Sequence, residues 1–85
     1  MFKIKFKESV AKDLKKISKV EISKILTKIE TDLPTKAEIL PNLKGEFLGL
    51  KKYRIGDYRV IFCLLDETTI LITRIGHRGS VYKVK

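Results

Sequence analysis

The sequence predicts an α+β domain: an antiparallel sheet of about four strands with an N-terminal helical hairpin packed on one face, in the order β-α-α-β-β-β. Three observations predict it. Apolar and basic residues alternate at the start of the chain, apolar residues recur at helical spacing from Val10 to Leu33, and three runs rich in Ile, Val and Tyr follow Gly49. With 85 residues, 1–85 is read as a single domain with a thin core.

Phe2, Ile4 and Phe6 alternate with Lys3, Lys5 and Lys7, the period of a strand with one buried face. From Ser9 the period lengthens, with Val10, Ala11, Leu14 and Ile17 inward and Lys12, Asp13, Lys15 and Lys16 outward. Ser18 and Glu21 have the spacing of a capping box, with Ile17 and Ile22 placed as its hydrophobic staple, so a second helix starts at Ser18. Ile22, Ile25, Leu26, Ile29 and Leu33 form its apolar stripe, and Pro34 is expected to stop it. Residues 35–42 read as a connection with one helical turn at most. Strands are expected over Lys51–Ile55, Tyr58–Leu65 and Thr69–Ile75, joined by a two-residue Gly56-Asp57 hairpin and a less defined turn at Asp66–Thr68.

Lys and Arg number 19 against 10 acids, a net charge of +9 that points to a polyanionic partner. The lysines of the helical half read as solvated faces. The arginines all lie in the sheet half, and Arg54, Arg59 and Arg74 interrupt strands otherwise built from apolar residues. If Gly56-Asp57 closes a two-residue turn, Arg54 faces Arg59. Provided the second loop holds two or four residues, Lys52, Arg54, Arg59 and Arg74 then share one face, with Tyr58, Val60, Phe62, Leu64, Leu71 and Ile75 under the helices. Like charges across a ladder destabilise a sheet, and no acid in these strands offsets them. A bound phosphate would.

Gly76-His77-Arg78-Gly79 follows the last strand, with Tyr82 beyond it. His77 offers proton exchange, Arg78 a phosphate clamp and Tyr82 a stacking surface. Cys63 is the sole cysteine, which excludes an intramolecular disulfide and thiolate zinc sites, and neither a metal nor a cofactor is expected. The longest apolar run, Val60 to Leu65, is far short of the roughly 18 residues of a membrane span. Residues 1–7 lack the continuous apolar stretch of a signal peptide, so a cytoplasmic location is expected.

Leu43-Lys44-Gly45, the run from Leu50 to Phe62 containing Arg54-Ile55-Gly56-Asp57-Tyr58-Arg59-Val60-Ile61-Phe62, and Gly76-His77-Arg78-Gly79-Ser80-Val81-Tyr82 together resemble the RelE/ParE toxin superfamily over nearly the whole chain, the RelE branch more than the ParE branch. The resemblance implies the RelE-like microbial ribonuclease fold. It also implies a type II toxin that cleaves mRNA in the ribosomal A site without metal, inhibiting translation. Its partners would be the 70S ribosome with its mRNA, and a cognate antitoxin that masks the basic surface. In such toxins the ribose 2′-OH attacks the adjacent phosphate, giving a cyclic phosphate and a 5′-OH. By motif match Lys52 is the candidate base, Arg59 stabilises the phosphorane, Arg78 is acid or second clamp, and Tyr82 stacks on the substrate. His77 is an alternative acid or base, since some relatives use a C-terminal histidine. Lys44, Lys51, Arg54 and Arg74 are candidate phosphate contacts. Leu50 stands where an additional lysine is often found in the family. The competing readings are a ParE-like inhibitor of DNA gyrase, which would stay toxic after loss of Arg59 and Arg78, and a plain nucleic-acid-binding module, which would not be toxic.

Overall fold

Strand directions follow from the helical connection. A computed structural model describes residues 3–40 and 49–77. In it β1 (Lys3–Phe6) leads into a short α1 (Glu8–Leu14) and a long α2 (Lys19–Lys36), followed by β2 (Lys51–Ile55), β3 (Tyr58–Asp66) and β4 (Thr69–His77). The 18 residues of α2 span about 27 Å, enough to carry the chain back along the sheet. β2 therefore sets off in the same direction as β1. Two hairpins then return β4 to that direction, and it lies beside β1 in parallel, in the sheet order β1-β4-β3-β2. The sheet is thus mixed and not antiparallel throughout, because a helical crossover restores strand direction where a hairpin reverses it.

Ser18 caps α2 as its spacing indicated, its hydroxyl accepting from the Glu21 amide at 3.3 Å. Ile25, Ile29 and Leu33 of the stripe are fully buried against Val60, Phe62, Ile70, Ile72 and Ile75 of the sheet. Pro34 does not end the helix; it lies inside α2. A proline this close to the C-terminus removes only one intrahelical bond. Thr35 Oγ1 donates to the Asp32 carbonyl at 2.8 Å, the Ala37 amide reaches the Leu33 carbonyl, and completely buried Ala37 holds the last turn on the core. Hydrogen-bonded turn structure continues to Leu40. In β1 only Ile4 packs on the core; Phe6 is 46% exposed, at the end of a four-residue strand. Phe2 lies outside the described residues.

The β2–β3 hairpin has the register read from the sequence, with Ile55 opposite Tyr58 and Arg54 opposite Arg59. Gly56 takes φ 57° at the first turn position while Asp57 stays at negative φ, a conformation that favours glycine in a two-residue hairpin. The second loop also has two residues, Glu67 and Thr68, with the Asp66 carboxylate accepting from the Thr68 amide at 2.7 Å and from its hydroxyl at 3.0 Å. Two compensating bulges then alter the faces. An extra residue in β3 near Leu65 and one in β4 at Thr73 slip the pairing between them, so Phe62 faces Ile72, Cys63 faces Leu71 and Leu64 faces Ile70. Ile70 and Ile72 consequently turn under the helices with no exposure, and half-buried Leu71 turns away, the reverse of the expected parity. Beyond Thr73 the original register returns, with Ile61 opposite Arg74.

Candidate functional site

Tyr53 decides which side of β2 the cations occupy. Its ring is 6% exposed in the core, and its hydroxyl donates to Asp32 Oδ2 on α2 at 3.0 Å. Strand alternation then sends Lys52 and Arg54 to the opposite face, where Ile61 and Arg59 are their cross-strand partners. Lys52, Arg54 and Arg59 are thereby brought together on the face away from the helices. Among the described residues no acid pairs with any of them. Arg59 makes only two long contacts, Nη1 donating to the carbonyls of Gly56 at 3.4 Å and Tyr58 at 3.3 Å. Three unneutralised cations on adjacent strands repel one another, so an anion with several acceptor oxygens is stabilised there.

The other candidates are placed differently. Lys51 shares the core-facing side of β2 with Tyr53, and its ammonium donates to the Leu40 carbonyl at 2.9 Å, tying the strand to the end of the helical segment. Arg74 stands in the expected register, but its guanidinium is not directed to a phosphate. Nε and Nη2 donate to Asp13 Oδ2 and Oδ1 at 2.9 and 3.1 Å, and that carboxylate holds the guanidinium in its charged form, raising its pKa further. Asp13, expected on the solvated face of its helix, is buried at 8% exposure because it also accepts the Ile75 amide at 2.9 Å. His77 lies opposite Tyr58 on the helix-side face, their rings 5.9 Å apart and edge to face. It borders a cleft of about 340 Å³ with Tyr58, Lys16, Asp13 and Arg74, and does not share a face with Lys52, Arg54 and Arg59. Lys44, Arg78 and Tyr82, like Leu43, Gly45 and residues 79–81, lie outside the described residues.

Asp13 carried a sequence signal that the charge pattern hid. Val10, Asp13 and Ile17 follow the three- and four-residue spacing of the buried stripe, so an acid at position 13 requires a partner inside. Tyr53 and Asp32 gave no such signal, since their meeting depends on how α2 packs on β2.

The Tyr53–Asp32 hydrogen bond gives a pH prediction. Burial, with Asp32 adding to it, pushes the Tyr53 phenol up to about 12 from its ordinary 10.0. The Tyr53 bond holds Asp32 below the usual carboxylate value, helped by Lys28 and Lys36. The phenol's contribution to stability is complete below pH 10.0 and is lost as pH rises toward about 12. That of Asp32 is present above pH 3.8 and is lost as pH falls through its lowered value. A phenolate absorbance titration should show a late step toward about pH 12, and Tyr53→Phe should remove it. A late step that persists in Tyr53→Phe would contradict the assignment.

Among the described residues no helix is long and apolar enough to cross a membrane. A family model for the ParE toxin of the type II toxin–antitoxin system parDE matches residues 4–82, and no curated protein matches the chain. Among solved structures, one in the RelBE2 toxin–antitoxin complex from Mycobacterium tuberculosis superposes with a TM-score of 0.81 at 26% identity, over 91% of this chain and 98% of that one. One in the RelB–RelE antitoxin–toxin complex from Methanococcus jannaschii gives 0.65 at 25% identity, over 92% and 94%. A conserved hypothetical protein from Helicobacter pylori shares the fold, with a TM-score of 0.72 at 19% identity over 93% and 97%. The family match runs from the first strand to Tyr82, and its fold is that of toxins solved with their antitoxins; the chain belongs to the ParE toxin family of type II toxin–antitoxin systems, within the RelE/ParE superfamily.

Proposed function

We propose that the chain is a ribosome-dependent mRNA endoribonuclease of the RelE type, inhibiting translation in the cytoplasm. The observation that carries this reading is the trio Lys52, Arg54 and Arg59, gathered on one sheet face without an acid among the described residues. Cleavage requires that the 2′ oxygen bond to phosphorus and the bond from phosphorus to the 5′ oxygen break. One proton leaves the 2′-OH and one reaches the 5′ oxygen. Lys52, acting as the free amine, takes the first proton, Arg59 and Arg54 stabilise the charge on the phosphorane, and Arg78 supplies the second proton or a further clamp. Tyr82 stacks on a substrate base, and Lys44 extends the phosphate contacts. His77, on the other side of the strand, is the alternative acid or base.

The partners are the 70S ribosome with its mRNA and a cognate antitoxin. The net charge of +9 favours an antitoxin segment that is acidic, or amphipathic with an acidic face, covering the arginines. Primer extension on a reporter mRNA incubated with the protein, with and without purified ribosomes, tests the reading. Cuts should appear only with ribosomes. Intact mRNA from protein that is folded and toxic would overturn it in favour of gyrase inhibition, the reading that the family's ParE name supports.

A further inference from the structure

β4 outruns its neighbour. β1 pairs with it only from Lys3–Thr69 to Phe6–Ile72, and the Lys7 amide makes the last contact, to the Ile72 carbonyl at 2.8 Å. Beyond Ile72 one edge of β4 has no strand beside it among the described residues, and an exposed edge there would leave backbone donors and acceptors unpaired. α1 takes over. Ser9 Oγ donates to the Thr73 carbonyl at 2.6 Å, and one turn later Asp13 Oδ2 accepts the Ile75 amide at 2.9 Å. Two side chains of a helix thus do for β4 what the backbone of a longer β1 would do.

This segment begins at a bulge, where Thr73 has no cross-strand partner and its hydroxyl donates to the Ile61 carbonyl at 3.0 Å. A bulge loosens the ladder and sets the direction in which the strand continues. The strand ends at His77, and Arg78 is the next residue in the chain. Asp13 also fastens Arg74 through two further hydrogen bonds, so one carboxylate grips two consecutive residues of the strand.

We infer that Asp13 is a positioning residue: it fixes the course of β4 after its bulge and so the placement of Gly76 and His77 relative to Lys52 and Arg59. The inference about catalysis rests on the ribonuclease reading; the inference about strand geometry does not. Asn at position 13 keeps the size of the side chain but lacks the charge and presents a donor amide to Arg74 or Ile75. Its effect therefore lies in alignment and not in substrate contact.

The test has two arms on Asp13→Asn and Asp13→Glu. In the first, amide NMR spectra of each variant are compared with the parent. Asp13→Asn should speed exchange of the Ile75 amide and move the signals of Gly76 and His77, with those of Lys52–Arg59 unchanged. Unchanged Gly76 and His77 signals, or changes spread evenly over the sheet, would overturn the inference whatever the protein does to RNA. In the second, ribosome-dependent cleavage is measured per folded molecule. Asp13→Asn should lower kcat roughly tenfold or more with KM within about twofold, since small misplacements of reacting groups slow chemistry more than binding. Asp13→Glu, which keeps the carboxylate, should recover part of the loss. A normal kcat with a raised KM would overturn the catalytic role. If the parent cuts no mRNA, the ribonuclease reading fails, and the NMR arm alone decides on Asp13.

Discussion

Arg59→Ala is expected to abolish most mRNA cleavage while leaving the protein folded. Arg59 faces Arg54 across the hairpin, and its guanidinium rests on two carbonyls at 3.3 and 3.4 Å, contacts that an incoming phosphate displaces with little loss. Removing one preorganised donor to a charged transition state typically slows the chemical step by about 10²–10³-fold. The same substitution removes a like-charge repulsion, so stability should change by less than about 0.5 kcal/mol. Arg59→Lys should fall between the two proteins, because lysine keeps the charge but not the two-pronged donor geometry. Single-turnover cleavage on ribosomes, with thermal melts of the same samples, checks this. A folded Arg59→Ala that cuts at close to the parental rate would remove Arg59 from the site.

The hairpin that carries this prediction was legible in the sequence because its cause is local. Gly56-Asp57 sets the turn, the turn sets the register, and the register places Arg54 opposite Arg59. Ser18 and the α2 stripe were legible for the same reason. What the sequence concealed depends on contacts between distant segments. The parallel pairing of β1 requires knowing that α2 alone returns the chain across the sheet. The bulge at Thr73 is stabilised by the Ile61 carbonyl and, through its own carbonyl, by Ser9, 64 residues away. Without that bulge, parity places Ile70 and Ile72 on the cationic face; with it they enter the core. Arg74 shows the same limit for the site, since its charge fits a phosphate contact until α1 supplies Asp13.

The largest effect on stability is expected from Phe62→Ala. Phe62 is fully buried near the middle of β3, opposite Lys51 of β2 and Ile72 of β4, where the β3–β4 pairing is slipped between the two bulges. Its ring fills the space between the sheet and the α2 stripe, and a helix seated on a rigid sheet cannot collapse fully into the void. Truncating a buried phenylalanine costs about 3–5 kcal/mol. A small domain has only about 5–15 kcal/mol in total, and this thin core places the chain toward the lower end. At about 4–8 °C of melting temperature per kcal/mol for a chain of this size, Tm should fall by more than about 12 °C, with much of the protein unfolded under ordinary assay conditions. Leu65→Ala supplies the contrast. Leu65 lies on the same strand but is 54% exposed at the β3 bulge, and its loss should stay within about 0.5 kcal/mol. Thermal melts of the pair separate burial from strand propensity, since both substitutions remove a strand-compatible apolar residue in favour of alanine. Equal losses in the two variants would mean that Phe62 does not face the core, and that the assignment of faces that isolates Lys52, Arg54 and Arg59 is wrong.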